Sequence, residues 1–280
     1  MKKDILTIRD LRKEEIMELI DRGLQLKKEG RHVKKSLSGY TLGLIFDKAS
    51  TRTRVSFEIA MFRLGGHTLF LSRADTQMSR DETIGDTARV LSRYLDVLAI
   101  RTYSQELVEE MARWADIPII NALTDRYHPC QVLSDLMTIK EKRGDLNNLK
   151  VAWIGDGNNV AQSWINASHI MGFEMALSCP PNYHPLPEVL EDVGNNIRMV
   201  EDPEKAAKDA DVINTDVWAS MGQEDEKRNR MRDFEGFQVN QSLVKLAKPD
   251  VLIMHCLPAH RGEEITADVL DGPNSVVFDQ

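Results

Sequence analysis

The chain has 280 residues, a length that predicts two domains with cores of ordinary size, and a formal net charge of −8 that argues against a general nucleic-acid binder, which would carry a basic face. No apolar run reaches membrane-spanning length, so no membrane partner is expected, and the N-terminus "MKKDILTIRD" lacks the apolar core of a signal peptide. Three cysteines, Cys130, Cys179 and Cys256, are odd in number and widely spaced, which favours free thiols in a reducing cytoplasm over a disulfide framework.

The opening "LRKEEIMELIDRGLQLKKEG" is an amphipathic helix with Ile16, Leu19, Ile20 and Leu24 at helical spacing. Strand candidates "TLGLIFD", "HTLFLS", "DVLAIRT" and "IPIINAL" follow, each trailed by a helical or loop segment. A long helix around "CQVLSDLMTIKEKRG" then leads into the polar "DLNNL", which reads as a domain junction. The pattern restarts with "KVAWIGDG", "EMALSC", "IRMVED", "DVINTDV", "VLIMHCLP" and "SVVFDQ" as strands. Strands alternating with helices predict parallel sheets covered on both faces, so the fold class is α/β with two domains, residues 1–140 and 150–280. Ligands of such sheets bind beyond the carboxyl ends of the strands, and each motif below falls at such an end.

"DKASTRTR", residues 47–54, joins an apolar strand to a helix. Ser50 or Thr51 reads as an N-cap. Arg52 and Arg54, however, sit in the first turn, where the macrodipole disfavours cations unless an anion is bound. Hydroxyls, backbone N–H groups and guanidinium forks converging on a helix start make a phosphate site, although no P-loop pattern is present. Arg101 ends the strand "AIRTY" at the same kind of edge. In "YHPCQ", His128 is either a packed loop histidine or, three residues from Gln131, half of a grip on one small ligand. "WIGDGNN" carries Gly155 and Gly157 but has Val160 where a dinucleotide fingerprint needs its third glycine, so no nicotinamide cofactor is expected. It leaves a tight turn presenting Asn158 and Asn159. Asp216 in "TDVWASMGQEDEKRNR" reads as a cap, and the charges from Gln223 to Arg230 as either a solvated surface or a mobile lid. In "MHCLPAHRGEE", His255, Cys256 and His260 lack a fourth ligand at plausible spacing, so no metal is expected. Cys256, at a strand end before a proline, is placed as a site residue.

Together these pieces resemble the aspartate and ornithine carbamoyltransferase family along essentially the whole chain. "FDKASTRTR" is similar to its F-x-K-x-S-T-R-T-R signature and "HPCQ" to its H-P-x-Q element. "DVWASMG" and "HCLP" are similar to elements of the ornithine branch. The resemblance implies transfer of the carbamoyl group of carbamoyl phosphate to the δ-amine of L-ornithine without any cofactor, and a homotrimer or an assembly of trimers. It implies that Ser50, Thr51, Arg52 and Thr53 hold the phosphate, and that Arg101, His128 and Gln131 bind the carbamoyl end. Gln77, in "ADTQMSRDE", is similar to the loop glutamine that reaches carbamoyl phosphate in a neighbouring subunit. Asn159, Asp216, Ser220 and Met221 would hold the amino-acid end of ornithine, and Cys256 and Leu257 would meet its reactive amine. Arg101, His128, Asp216 and Cys256 would carry the catalysis.

In the family the chain continues past "VFDQ" into a further helix, with an arginine that also contacts carbamoyl phosphate; here the sequence stops at Gln280. The resemblance therefore implies apolar surface left uncovered on the opening helix and poor turnover. A carbamoyltransferase for another amine such as putrescine, or a catalytically weak relative that binds carbamoyl phosphate, are the competing readings.

Overall fold

The computed structural model describes residues 2–72, 82–191, 193–219 and 227–280. They form two compact units, Met1–Cys130 and Gln131–Gln280. In the first, β1 (Thr41–Phe46), β2 (His67–Ser72), β3 (Val97–Arg101) and β4 (Ile119–Leu123) make a sheet in the order β2-β1-β3-β4. Every pairing is parallel. The helices are α1 (Lys13–Glu29), α2 (Arg52–Leu64), α3 (Ile84–Leu91) and α4 (Gln105–Trp114).

Strand alternation sorts the apolar residues of this sheet onto two faces. Leu42, Leu44, Phe46 and Ala99 pack with Met61 of α2. Ile45, Leu98 and Ile100 pack on the other face with Ala88 of α3 and with Val108 and Met111 of α4. Both faces are thus covered, as a parallel sheet requires. The N-terminal segment runs alongside β4, with Ile5 bridging Ile120. The stripe expected on α1 divides: Ile16 and Ile20 are buried, whereas Leu19 lies on the exposed side.

The second unit holds β5 (Lys150–Ile154), β6 (Glu174–Ser178), β7 (Ile197–Met199), β8 (Val212–Thr215) and β9 (Leu252–His255), in the order β7-β6-β5-β8-β9. All of these pairings are parallel as well. α5 (Pro129–Arg143) runs into this unit, followed by α6 (Asn159–Met171), α7 (Pro187–Leu190), α8 (Pro203–Ala207), α9 (Lys227–Asp233), α10 (Gln241–Val244) and α11 (Ala267–Leu270). α6 is buried on nearly every side, with Trp164 fully enclosed. Among the described residues no helix is long and apolar enough to cross a membrane.

The expectation of a strand at "SVVFDQ" is corrected. Ser275 makes one parallel bridge to Ile253, and the chain then turns, with the Asp279 N–H donating to the Val276 carbonyl at 2.9 Å. The turn directs the Gln280 side chain to the His255 N–H at the end of β9, 3.0 Å away.

The two glycines of "WIGDGNN" have packing reasons. Gly155 has φ 131°, a left-handed conformation that side chains disfavour. Gly157 donates its N–H to the Tyr183 carbonyl at 2.8 Å, and a Cβ there would lie 2.3 Å from the backbone nitrogen of Pro185. Gly157→Ala must therefore move the 183–185 backbone. It should destabilise the second unit by roughly 1–3 kcal/mol, an overpacking cost that denaturant melts of wild type and variant will read.

Candidate active site

At the carboxyl edge of the first sheet, three loops are tied to one another. The Asp47 N–H donates to the Arg101 carbonyl at 2.8 Å, and the Thr102 hydroxyl donates to Asp47 Oδ2 at 2.6 Å. Lys48 pairs with Asp125 and lies over the Tyr103 ring, 4.2 Å from its centroid. Behind them, the Thr124 hydroxyl and the Asn121 amide both donate to Gln105 Oε1, at 2.8 and 3.2 Å. These buried bonds set the loop that carries His128.

His128 is 7 % exposed, and burial first, then the nearby Arg101 charge, lowers its pKa to about 3. The imidazole is therefore neutral at ordinary pH.

Ser50 and Thr51 lead into α2, and Arg52 and Thr53 open it. The N-cap expectation is corrected at Thr51, which has helical backbone angles and makes no side-chain cap. The two first-turn arginines also differ. Arg54 donates to Glu58 Oε1 at 2.8 Å and stacks on Phe70 with its guanidinium 3.6 Å from the ring centroid, so its charge is balanced within the fold. Arg52 is exposed at the helix start, beside the exposed Thr51.

The carboxyl edge of the second sheet centres on Asp216, just past β8 and 6 % exposed. Its Oδ2 accepts from the Asn158 amide at 2.7 Å, and its Oδ1 accepts from the Val217 N–H at 2.8 Å and from the Cys256 thiol at 3.0 Å. Asn158 is in turn fixed as the N-cap of α6, accepting from the Val160 and Ala161 N–H groups at 3.0 and 3.2 Å. The asparagine that reaches Asp216 is thus Asn158. Asn159 is the first residue of α6 and accepts through its carbonyl from the Ser163 hydroxyl at 2.8 Å.

Leu257 follows Cys256 with φ 53° and donates its N–H to His255 Nδ1 at 2.9 Å. With Nδ1 accepting, the ring proton lies on Nε2, which faces Glu264 Oε1 at 3.2 Å. Glu264 Oε1 also accepts from the His260 N–H at 2.5 Å. Asp216, His255 and Cys256 offer donor atoms within 4.8 Å of one another, as a metal site would. Both nitrogens of His255 are nevertheless engaged, and the Cys256 proton is directed at Asp216, so the cluster is held by hydrogen bonds.

Two further features bear on this edge. Of the two readings of the charged run that ends at Arg230, a solvated surface or a mobile lid, the solvated one does not hold for Arg230 of α9, which is 7 % exposed. It donates to Asp156 Oδ2 at 2.6 Å and to the Trp218 carbonyl at 2.8 Å. A buried guanidinium requires such partners. Asp135 of α5, which the sequence reading passed over, accepts from the amide of Gln131 at 2.8 Å, from that of Gln280 at 2.7 Å and from the Trp164 indole at 3.1 Å. Burial raises its pKa to about 6. Its spacing of four from Gln131 is the one signal that could have found it. Gln77, Ser220 and Met221 lie outside the described residues.

One parallel α/β unit opens a helix with Arg52 and Thr53, and the other sets a thiol–carboxylate pair at its strand ends, where the resemblance to the carbamoyltransferases expects the substrates. The comparisons agree. The family model described as "Aspartate/ornithine carbamoyltransferase, carbamoyl-P binding domain" matches residues 3–141, and "Aspartate/ornithine carbamoyltransferase, Asp/Orn binding domain" matches residues 147–280. The chain belongs to the aspartate/ornithine carbamoyltransferase family. It is 50 % identical to an ornithine carbamoyltransferase of Methanoculleus marisnigri over all of this chain and 92 % of that relative. Among solved structures, ornithine carbamoyltransferase from Pyrococcus furiosus superposes with a TM-score of 0.95 at 50 % identity, covering 99 % of this chain and 91 % of that one. The anabolic ornithine carbamoyltransferase from Campylobacter jejuni superposes with a TM-score of 0.90 at 44 % identity, covering 97 % and 91 %.

The buried groups give the stability a definite pH dependence. His128 is held neutral, so its contribution is present above pH 6.5 and is lost as pH falls from there toward about 3. Asp135 has the opposite sign: its raised pKa makes ionisation costly to the fold as pH rises from 3.8 toward about 6. His128→Gln should therefore flatten the loss of stability below pH 6.5, by up to about 1.4 kcal/mol per pH unit. Denaturant melts of both proteins across a pH series check this.

Proposed function

We propose that the chain is an ornithine carbamoyltransferase, moving the carbamoyl group of carbamoyl phosphate to the δ-amine of L-ornithine and releasing L-citrulline and phosphate. The observation that carries the reading is the Cys256 thiol 3.0 Å from Asp216 at the strand ends where the ornithine-branch elements "DVWASMG" and "HCLP" fall.

The amine nitrogen attacks the carbonyl carbon, a tetrahedral oxyanion forms, and the carbon–oxygen bond to phosphate breaks as phosphate leaves, taking with it the proton that the attacking nitrogen sheds. An alkylammonium has a pKa of about 10, so the amine must first give up a proton. In this reading Asp216 and Cys256 receive the ammonium end and assist that loss. Arg101, the neutral His128 and the Thr53 hydroxyl are the donors aimed at the oxyanion, each such donor supplying on the order of a few kcal/mol. Ser50, Thr51, Arg52 and Thr53 take the phosphate and Gln131 the carbamoyl amide. Asn159, Ser220, Met221 and Leu257 complete the ornithine side. Gln77, similar to the loop glutamine that acts across subunits, supports a homotrimer. A cytoplasmic role in arginine biosynthesis fits the acidic, cysteine-poor composition and the anabolic relative. The decisive assay is carbamoyl transfer to ornithine, read as citrulline, against transfer to putrescine, read as N-carbamoylputrescine; a preference for putrescine would overturn the assignment.

Arg52→Ala should weaken carbamoyl phosphate and phosphate binding roughly 10–100-fold, the worth of a charge-assisted bond, while leaving the unliganded fold as stable or slightly more so. Thermal melts with and without phosphate read both effects, and equal phosphate stabilisation of wild type and variant would contradict the role.

Cys256→Ser should lower turnover at least about tenfold and alter its pH profile, with carbamoyl phosphate affinity nearly unchanged. Mass spectrometry detecting a competent carbamoyl-Cys256 species would show a covalent role instead.

A further inference from the structure

Asp135 is a buried titratable group to which the mechanism gives no role, and its contacts have a consequence for recognition. It is 1 % exposed and its three partners are all neutral donors. An ionised carboxylate only accepts, so each amide beside it must present its nitrogen. The Gln280 amide shows the rule in operation. Its Nε2 donates to Asp135 Oδ1, and its Oε1 is consequently the end that accepts from the His255 N–H, at 3.0 Å. Gln131 is held by the same Oδ1 through its own Nε2, at 2.8 Å. Its Oε1 is therefore the end turned away from Asp135, and that end is an acceptor.

We infer that Asp135 is a positioning residue that fixes which face of the Gln131 amide the ligand meets, an oxygen that recognises the NH2 of a carbamoyl group and disfavours a methyl or an oxygen in its place. The inference rests on the carbamoyl phosphate reading given above. It makes Asp135 a determinant of selection between carbamoyl phosphate and acyl phosphates of the same shape, because a site built to bond an N–H discriminates against the analogue that lacks it.

Trp164 makes the arrangement testable. Its indole can only donate, and it donates to Asp135 Oδ2 at 3.1 Å. In Asp135→Asn, the new amide oxygen can serve either the indole or the two glutamines. If it serves the indole, its NH2 faces both glutamines: Gln131 must turn over and present a donor to the ligand's NH2, and Gln280 must give up its bond to residue 135 or to the His255 N–H. If it serves the glutamines, the fully buried Trp164 N–H is left against a second donor and, unlike an amide, cannot turn over to relieve it, so the first arrangement is the one expected.

The experiment compares wild type and Asp135→Asn for the KM of carbamoyl phosphate and for the inhibition constant of inorganic phosphate, which has no carbamoyl end. The expected result is a KM raised about tenfold or more with the phosphate constant within about twofold, and no further rise when Gln131→Ala is added. A merely structural role would lower the active fraction and move neither constant. An unchanged KM in folded Asp135→Asn overturns the inference. Should the variant not fold, wild-type affinities for phosphonoacetamide and for its methyl ketone analogue decide: equal affinities overturn it, and a preference of about tenfold for the amide supports it. A wild type that forms no citrulline sinks the underlying reading, whereas an active wild type with an indifferent Asp135→Asn sinks this inference alone.

Discussion

Successive parallel strands must be joined by crossovers that return over a face of the sheet, and that constraint organises each unit of this protein. It gathers all strand ends at one edge, where no strand partner remains for the backbone and loops must take over. In the first unit that edge carries Arg101, the start of α2 and the loop to His128. In the second it carries Gly155, Asp216 and Cys256, from three adjacent strands. The site residues are scattered through the chain because strand order, not sequence order, makes neighbours.

Once polar side chains are gathered at such an edge, burial controls their chemistry. Asp216 fills its lone pairs from an asparagine amide, a backbone N–H and a thiol, three partners from separate loops. His128, buried near a guanidinium, is held neutral. Asp135, buried among neutral donors, has its carboxyl pushed up to about 6 and orients the amides around it. For His128 and Asp135 desolvation limits the states available, and for Asp135 and Asp216 the hydrogen bonds fix which groups the carboxylate meets.

The loop after β9 shows how much backbone order lies beneath one reactive side chain. Leu257 has a left-handed φ of 53°, a conformation that costs a non-glycine residue about 1–3 kcal/mol. The bond from its N–H to His255 Nδ1 holds it there, and Glu264 holds His255 from the other side while also accepting from the His260 N–H. Glu264 thus anchors both ends of the turn that presents Cys256.

Local chemistry carried far in the sequence. Short apolar runs alternating with helical segments pointed to the two α/β units and nearly every strand, because a strand buried on both faces is apolar throughout. The motifs at strand ends determined the family, since hydroxyls, arginines, a histidine and a cysteine in that order have little structural reason to recur together. What long-range contact decides was not legible. "SVVFDQ" has strand composition, yet it turns after one bridge, and the turn delivers Gln280 to β9. Arg54 and Arg52 look equivalent in "STRTR", but Phe70 and Glu58 take up the first. Arg230 sits in a charged run and is buried because Asp156, 74 residues away, meets it. Asn158 and Asn159 are adjacent and alike, and only the place of Asp216 at the end of β8 decides which of them reaches it. Asp135 looked like one more helix carboxylate until Gln280, 145 residues on, folded back to it. Sequence periodicity determines which face of an element is buried; which polar group meets which is decided by strand order and chain reversal, and those exist only in the folded protein.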